Sequence, residues 1–167
     1  MLKIYFLFFS LLFSLSLHGQ VVTLDAGTRF PVVISEQLAS FVDTTSTLAL
    51  AQVREKDFHP VGRPYFPLPY SDATFWFRIT LSNRDTQRER WYIEWDNPTV
   101  EVAECYRADG QPIPQGQKNV KGESPYFGID LLPGEAQTIY LRIMSRRGYR
   151  MTVNLLDESS LRARKVG

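Results

Sequence analysis

The sequence predicts an all-β protein: an antiparallel β-sandwich with one short helix, preceded by a signal peptide. Three observations lead to this fold class. Short runs rich in β-branched and aromatic residues alternate between apolar and polar positions. Proline and glycine separate these runs from residue 60 onward. The length of 167 residues suits one domain with a sizeable core.

The first residues have the pattern of a signal peptide. Lys3 precedes an apolar run at residues 4–17, which is shorter than the ~20 residues that a membrane-spanning helix needs. Cleavage is expected after Gly19, and an uncleaved N-terminal anchor is the alternative. We therefore expect an exported protein, and the family resemblance described below implies that it lies in the periplasm or at the outer face of the cytoplasmic membrane. The predicted divisions are a signal peptide at 1–19, a β-sandwich at 20–157 and a basic C-terminal tail at 158–167.

The remaining elements follow from local patterns. Capping residues at 43–46 precede the candidate helix. In the clearest strand, TFWFRITLSN, Phe75, Phe77, Ile79 and Leu81 share the side that should face the core. Trp91, Ile93 and Trp95 occupy the equivalent side of RWYIEWD. The predicted elements are a strand at 21–25, a helix at 47–56, and strands at 74–83, 90–96, 99–107, 138–144 and 150–156.

Composition excludes several classes of protein. Nineteen Lys and Arg residues balance eighteen Asp and Glu residues, which argues against a nucleic-acid-binding protein. The single cysteine, Cys105, excludes an internal disulfide and is expected to be buried. With His18 in the signal peptide, His59 alone remains, in a surface loop, so a His-rich metal site cannot form. No GxSxG, HExxH, CxxC or P-loop motif is present. We therefore predict no catalytic residues, metal ligands or cofactor.

A candidate ligand-binding site follows from the side chains that alternate with the core residues. Aromatic rings can stack on the C–H face of a sugar, and Arg, Glu and Asn can bind hydroxyls or carboxylates. The expected ligand is therefore a small molecule, either a carbohydrate or a carboxylate. The alternative is that these are ordinary outer-face residues, with the proline-rich loop 63–70 covering Trp76. The candidates are Trp76, Arg78, Tyr92, Glu94, Tyr140 and Arg142, with Arg150 and Asn154 as further members of the outward-facing set.

Four segments, in this order, carry a resemblance to a known family. They are FVDTTSTLALAQV, FHPVGRPYFPLPYSDATFWFRITLSN, RWYIEWDNPTVEVAECYRADG and LLPGEAQTIYLRIMS. Together they resemble the type 2 extracellular domain of bacterial seven-transmembrane receptors with diverse intracellular signalling modules (7TMR-DISM). The resemblance covers about residues 21–157. It implies a jelly-roll sandwich that senses a ligand in the periplasm and precedes seven membrane helices and a cytoplasmic output module.

The sequence departs from this family pattern in two places. The segment 116–128 looks shortened, and Lys118 and Lys121 are its only basic residues. The sequence also ends at LRARKVG, before any membrane helix. A receptor fragment, whose partners would be the receptor's membrane helices, is one interpretation of that end. A stand-alone exported carbohydrate-binding or protein-interaction module is the alternative. A small exported hydrolase is a third hypothesis, and it would need two facing carboxylates.

Overall fold

The alternating runs form two face-to-face β-sheets in the computed structural model, which describes residues 20–116 and 122–166. The predicted signal peptide lies outside the described residues. The strands are β1 (Val21–Leu24), β2 (Val32–Val33), β3 (Ala39–Asp43), β4 (His59–Pro60), β5 (Phe66–Leu68), β6 (Thr74–Asn83), β7 (Arg90–Trp95), β8 (Val102–Arg107), β9 (Pro112–Ile113), β10 (Tyr126–Asp130), β11 (Ala136–Met144), β12 (Tyr149–Met151) and β13 (Val153–Leu156).

The larger sheet has seven strands, in the order β4-β3-β6-β11-β8-β9, with β1 also paired to β6. Its pairs are antiparallel except β1 with β6, which is parallel. The second sheet has four strands, in the order β10-β7-β13-β2, and its pairs are all antiparallel. The predicted all-β sandwich is therefore confirmed.

The core lies between these two sheets. The predicted inward residues of β6, from Phe75 to Leu81, are at most 3% exposed, and those of β7 are at most 1% exposed. Phe77 from the larger sheet lies 6.3 Å from Trp95 of the smaller one, measured between ring centroids. Cys105 of β8 is buried in the same core, as predicted. Period-2 alternation thus located the inner face of both sheets correctly.

The proline-rich segment closes one edge of the core instead of covering Trp76. Its strand β5 pairs with β12 in a separate two-stranded sheet. Phe66 of β5 packs edge-on against Phe77, with ring centroids 5.0 Å apart. Proline was expected to indicate a loop here, but a two-stranded pair at the margin of a sheet tolerates proline.

Within the described residues, two α-helices lie outside the sandwich, where one was predicted. Helix α1 (Leu50–Val53) is shorter than the predicted 47–56. The segment that leads into α1 is held by Asp43, whose carboxylate accepts hydrogen bonds from the backbone amides of Thr45 and Leu48 at 3.0 and 2.9 Å. Helix α2 (Glu158–Val166) occupies the segment interpreted as a tail. Among the helices of residues 20–116 and 122–166, none has the length and apolar character required to span a membrane.

Candidate functional site

The six predicted ligand-binding residues all point away from the core, but they divide between two opposite surfaces. Because the two sheets face each other, their outward side chains point in opposite directions. The expectation of one shared polar face is therefore corrected to two separate faces. Trp76, Arg78, Tyr140 and Arg142 lie on the outer face of the seven-stranded sheet, and Tyr92 and Glu94 lie on the outer face of the four-stranded sheet.

Helix α1 covers the centre of the first face. Its Leu50 and Val53 form an apolar cluster with Trp76 and Tyr140, which are 2% and 6% exposed. Trp76 therefore has little free ring surface on which a sugar could stack. One alternative from the sequence was that the proline-rich segment covers Trp76. Trp76 is covered, but by helix α1.

Arginine and aromatic side chains surround this covered centre. Arg142 donates a hydrogen bond to Glu104 at 2.9 Å, and the Tyr106 hydroxyl donates to the same carboxylate at 2.6 Å. Burial raises the pKa of Glu104, but these two hydrogen bonds outweigh it and hold the pKa below its ordinary value. The Arg78 guanidinium stacks over the Phe58 ring at 4.6 Å. Whether these arginines bind a ligand stays a prediction.

Helix α2 covers part of the second face. Leu161 of the helix packs with Tyr92, Tyr126 and Leu156 of the sheet in a small apolar cluster. The Tyr92 hydroxyl also donates a hydrogen bond to the carboxylate of Glu158, at the start of the helix. Burial, followed by this carboxylate, raises the pKa of Tyr92, so the phenol keeps its proton and serves as the hydrogen-bond donor to Glu158.

A buried carboxylate anchors the other end of α2. Glu94 is 5% exposed, and its Oε2 lies 2.7 Å from Nη1 of Arg164 on the helix. Asn154, its neighbour on β13, donates a hydrogen bond to the same oxygen at 3.2 Å. Burial raises the pKa of Glu94, and the positive charge of Arg164 only partly offsets that effect. Glu94 is thus a structural partner of α2.

A cavity of about 500 Å³ lies beside this helix, and we call it the helix-side cavity. Its walls come from β7, β10, the β8–β9 hairpin and α2. Small-molecule sites typically have volumes of ~300–1,000 Å³, so the cavity could hold a small ligand. The wall includes charged side chains and tyrosines, among them Arg90, Tyr92, Arg107, Tyr126, Glu158 and Lys165.

Two glycines keep side chains out of this space. A Cβ on Gly128, which pairs with Tyr92, would lie 2.8 Å from Nη2 of Arg90. A Cβ on Gly116 would lie 2.0 Å from the ring of Tyr126. A larger residue at either position would therefore displace a side chain that lines the cavity.

The cavity contains more positive than negative charge. Arg90 forms an exposed ion pair with Asp130 at 3.4 Å. Lys165 donates a hydrogen bond to the Tyr126 hydroxyl at 2.6 Å, and its ammonium lies 4.4 Å from the centre of that ring. Within the described residues, no carboxylate lies within 4.0 Å of the charged nitrogens of Lys165 or Arg107. The described wall thus carries three cations, Arg90, Arg107 and Lys165, and two carboxylates, Asp130 and Glu158.

Sequence reasoning found only part of this wall. Tyr92 was among the predicted residues, and Arg90 could have been added because it precedes Tyr92 by two positions on one strand. Lys165 could not be placed without knowing that α2 folds back onto the sheet. Of the remaining outward candidates, Arg150 stacks on Tyr65 at 4.8 Å on the two-stranded sheet's side of the molecule.

The chain matches the model of a known protein family. The family model described as 7TMR-DISM extracellular 2 matches residues 35–157, which is more than half of the chain. The match begins in the short 3₁₀ helix Ser35–Gln37 and ends one residue before α2, so it spans most of the sandwich. A search of curated proteins found no match.

Proposed function

Because the chain belongs to the 7TMR-DISM extracellular 2 family, we propose that it is a ligand-sensing domain on the outer side of the cytoplasmic membrane. Its ligand would be a small polar molecule, either a carbohydrate or a carboxylate, bound in the helix-side cavity. The domain would then act as the input part of a receptor, with membrane helices as partners, and without catalytic chemistry of its own.

One observation carries this proposal: the helix-side cavity combines a suitable volume with charged and aromatic groups. Tyr92 and Tyr126 line the cavity but are each only 8% exposed, so the exposed amides of Gln111 and Gln115 are the groups that can exchange hydrogen bonds with sugar hydroxyls. Arg90 and Arg107 add donors that suit a carboxylate. Tyr92, Tyr126 and Leu161 are buried and hold part of the wall in place before a ligand arrives, which lowers the entropy cost of binding.

Signalling would follow from differential affinity. A bound ligand can shift a receptor between two states only if it binds one of them more tightly. The wall of the helix-side cavity is built from both sheet strands and α2, so a change in the position of α2 would alter the site. This shared wall supports a sensing role over simple capture of a ligand.

The experiment is a calorimetric binding screen of the purified protein against neutral sugars, sugar acids and dicarboxylates, followed by two matched variants. Arg107→Gln removes a cation from the helix-side cavity, and Arg78→Gln removes one from the opposite face. We expect Arg107→Gln to weaken binding by about tenfold, which corresponds to ~1.4 kcal/mol, and Arg78→Gln to have no effect.

If Arg78→Gln weakened binding and Arg107→Gln did not, the ligand would bind on the outer face of the seven-stranded sheet, where Trp76, Arg78, Tyr140 and Arg142 lie. Failure of all three ligand classes to bind would refute small-ligand sensing of this kind and favour a protein-interaction module. Circular dichroism of both variants would establish that a loss of binding does not come from unfolding.

A further inference from the structure

We propose that the ligand of the helix-side cavity is a sugar acid, and that its carboxylate ties helix α2 to the sheets. This inference rests on the proposed function, since it names the ligand class and the moving part of the same site. It adds that occupancy of the cavity is converted into tighter docking of one helix.

The charges of the cavity indicate a ligand that carries a carboxylate. Three cations reach it from three different elements: Arg90 from β7, Arg107 from β8 and Lys165 from α2. Among the described residues, the wall has two carboxylates: Asp130 pairs with Arg90 at 3.4 Å, and Glu158 is engaged by the Tyr92 hydroxyl and by Arg162 at 2.9 Å. A ligand carboxylate would therefore add negative charge beside Arg107 and Lys165, the two cations of the wall that have no ion-pair partner among these residues.

The uncharged groups of the wall indicate a ligand rich in hydroxyls. Gln111 and Gln115 line the cavity, and each amide offers both a donor and an acceptor. Tyr92 and Tyr126 also line the cavity, with ring centroids 6.0 Å apart. Gln111 and Gln115 are exposed, so a hydroxylated carboxylate can exchange hydrogen bonds with their amides, whereas a purely apolar carboxylate gains nothing from them.

Helix α2 depends on its contacts with the sheet for its stability. It has nine residues, and isolated helices shorter than ~12–15 residues are marginal in water. Its apolar contact with the sheet is made by Leu161, which is 6% exposed. Its polar contacts with the sheet are made by Glu158, Arg164 and Lys165. The helix therefore undocks at low cost unless something adds to these contacts.

A ligand carboxylate would add such a contact. Helix α2 brings two charges to the cavity: the carboxylate of Glu158, which attracts Arg90, and the ammonium of Lys165. Lys165 shares the cavity with Arg90 and Arg107 of the strands, and an anion placed among these cations would add attraction between the helix and the sheets. By thermodynamic linkage, a ligand that binds more tightly when α2 is docked shifts the docking equilibrium of α2 toward the docked state.

The test is hydrogen–deuterium exchange of residues 158–166 in the full protein, in two parts. The first part needs no ligand and compares the wild type with Arg164→Ala and with Arg162→Ala. Arg164 holds buried Glu94, whereas Arg162 forms a surface pair within the helix. We expect faster exchange in Arg164→Ala alone. Equal exchange in the two variants would overturn the proposal, because α2 would not then be held by its contacts with the sheet.

The second part adds sodium glucuronate, with glucose as the matched neutral sugar. At roughly ten times its Kd, glucuronate should slow exchange across 158–166 about tenfold, and glucose should not. Binding of glucuronate without slower exchange would overturn the coupling and leave the proposed function standing. Absence of glucuronate binding, alongside binding of another class from the screen, would overturn the sugar-acid assignment and leave ligand sensing intact.

Discussion

The ion pair between Arg164 and Glu94 gives the sharpest prediction about stability. Glu94 is almost fully buried between β13 and α2, whereas the side chain of Arg164 is 36% exposed. The substitution Arg164→Ala leaves the carboxylate buried with one remaining partner, the Asn154 amide. We therefore expect a loss of stability at neutral pH, where the carboxylate must be charged or take up a proton.

The size of the loss has an upper limit set by the helix. Removing one partner of a fully buried ion pair costs about 3–5 kcal/mol. Here α2 can detach and let water reach Glu94, so the cost cannot exceed the free energy of docking the helix. Burial of Leu161 stabilises docking by about 1.5–3 kcal/mol, and we therefore expect Arg164→Ala to cost about 2 kcal/mol.

The pH dependence follows from the raised pKa of Glu94. Because the pKa of Glu94 is higher in the folded than in the unfolded protein, the folded state binds the proton more tightly. The contribution of Glu94 to stability therefore falls as the pH rises from the unfolded pKa through the folded pKa. Protonated Glu94 does not need a cation. The cost of Arg164→Ala should therefore be largest near pH 7 and shrink as the pH is lowered through the folded pKa.

Urea unfolding, followed by tryptophan fluorescence at about pH 7 and about pH 5, measures this difference. Arg162→Ala is the matched control, and loss of its surface i,i+4 pair should cost only about 0.3–0.5 kcal/mol. In a Glu94→Gln background the cost of Arg164→Ala should nearly vanish. An equal cost in that background, or the same cost at both pH values, would refute this reasoning.

Three further predictions concern the sandwich itself. Asp43→Ala should cost about 2–3 kcal/mol at neutral pH through lost charge-assisted hydrogen bonds, whereas Asp25→Ala in an exposed turn should cost little, as measured by urea unfolding. Burial raises the pKa of Asp43, but these hydrogen bonds outweigh it and lower the pKa. The cost should therefore fade as the pH drops through that lowered value, and a constant cost would contradict this account. Phe77→Ala should cost about 3–5 kcal/mol in the same assay, because its ring fills the space between Phe66 and Trp95, and a cost below ~1 kcal/mol would mean that the core repacks freely. Cys105 should react with Ellman's reagent only after denaturation, because burial raises the pKa of its thiol; rapid reaction of the folded protein would contradict its placement in the core.

The strands of the core were predictable because their signal is local. In β6 and β7 each residue's side follows from its neighbours two positions away, and burial of the apolar set makes the register unambiguous. The longer strands were therefore predicted with the correct inner faces. The two-residue strands β2, β4 and β9 carry no such pattern, because a pair of residues cannot show alternation.

The site was harder to predict because it depends on contacts between distant segments. Alternation shows that Trp76 and Tyr92 point outward, but it does not show that they belong to opposite sheets. It also does not show that α1 lies over Trp76 and that α2 lies over part of the second face. Those facts depend on long-range pairing and on helix docking. Alternation therefore predicted correctly which side chains point away from the core, but it did not predict which of them are exposed to solvent.

The two helices also differ in a way that bears on signalling. Helix α1 meets its sheet through apolar contacts with Trp76 and Tyr140, and buried apolar area of this kind is costly to expose. Helix α2 meets the other sheet mainly through polar contacts around Leu161, beside a cavity of about 500 Å³. Elements with few buried apolar contacts are the ones that open first. The cavity thus lies beside the helix that has fewer buried apolar contacts, and this placement supports our proposal that occupancy of the cavity changes the docking of α2.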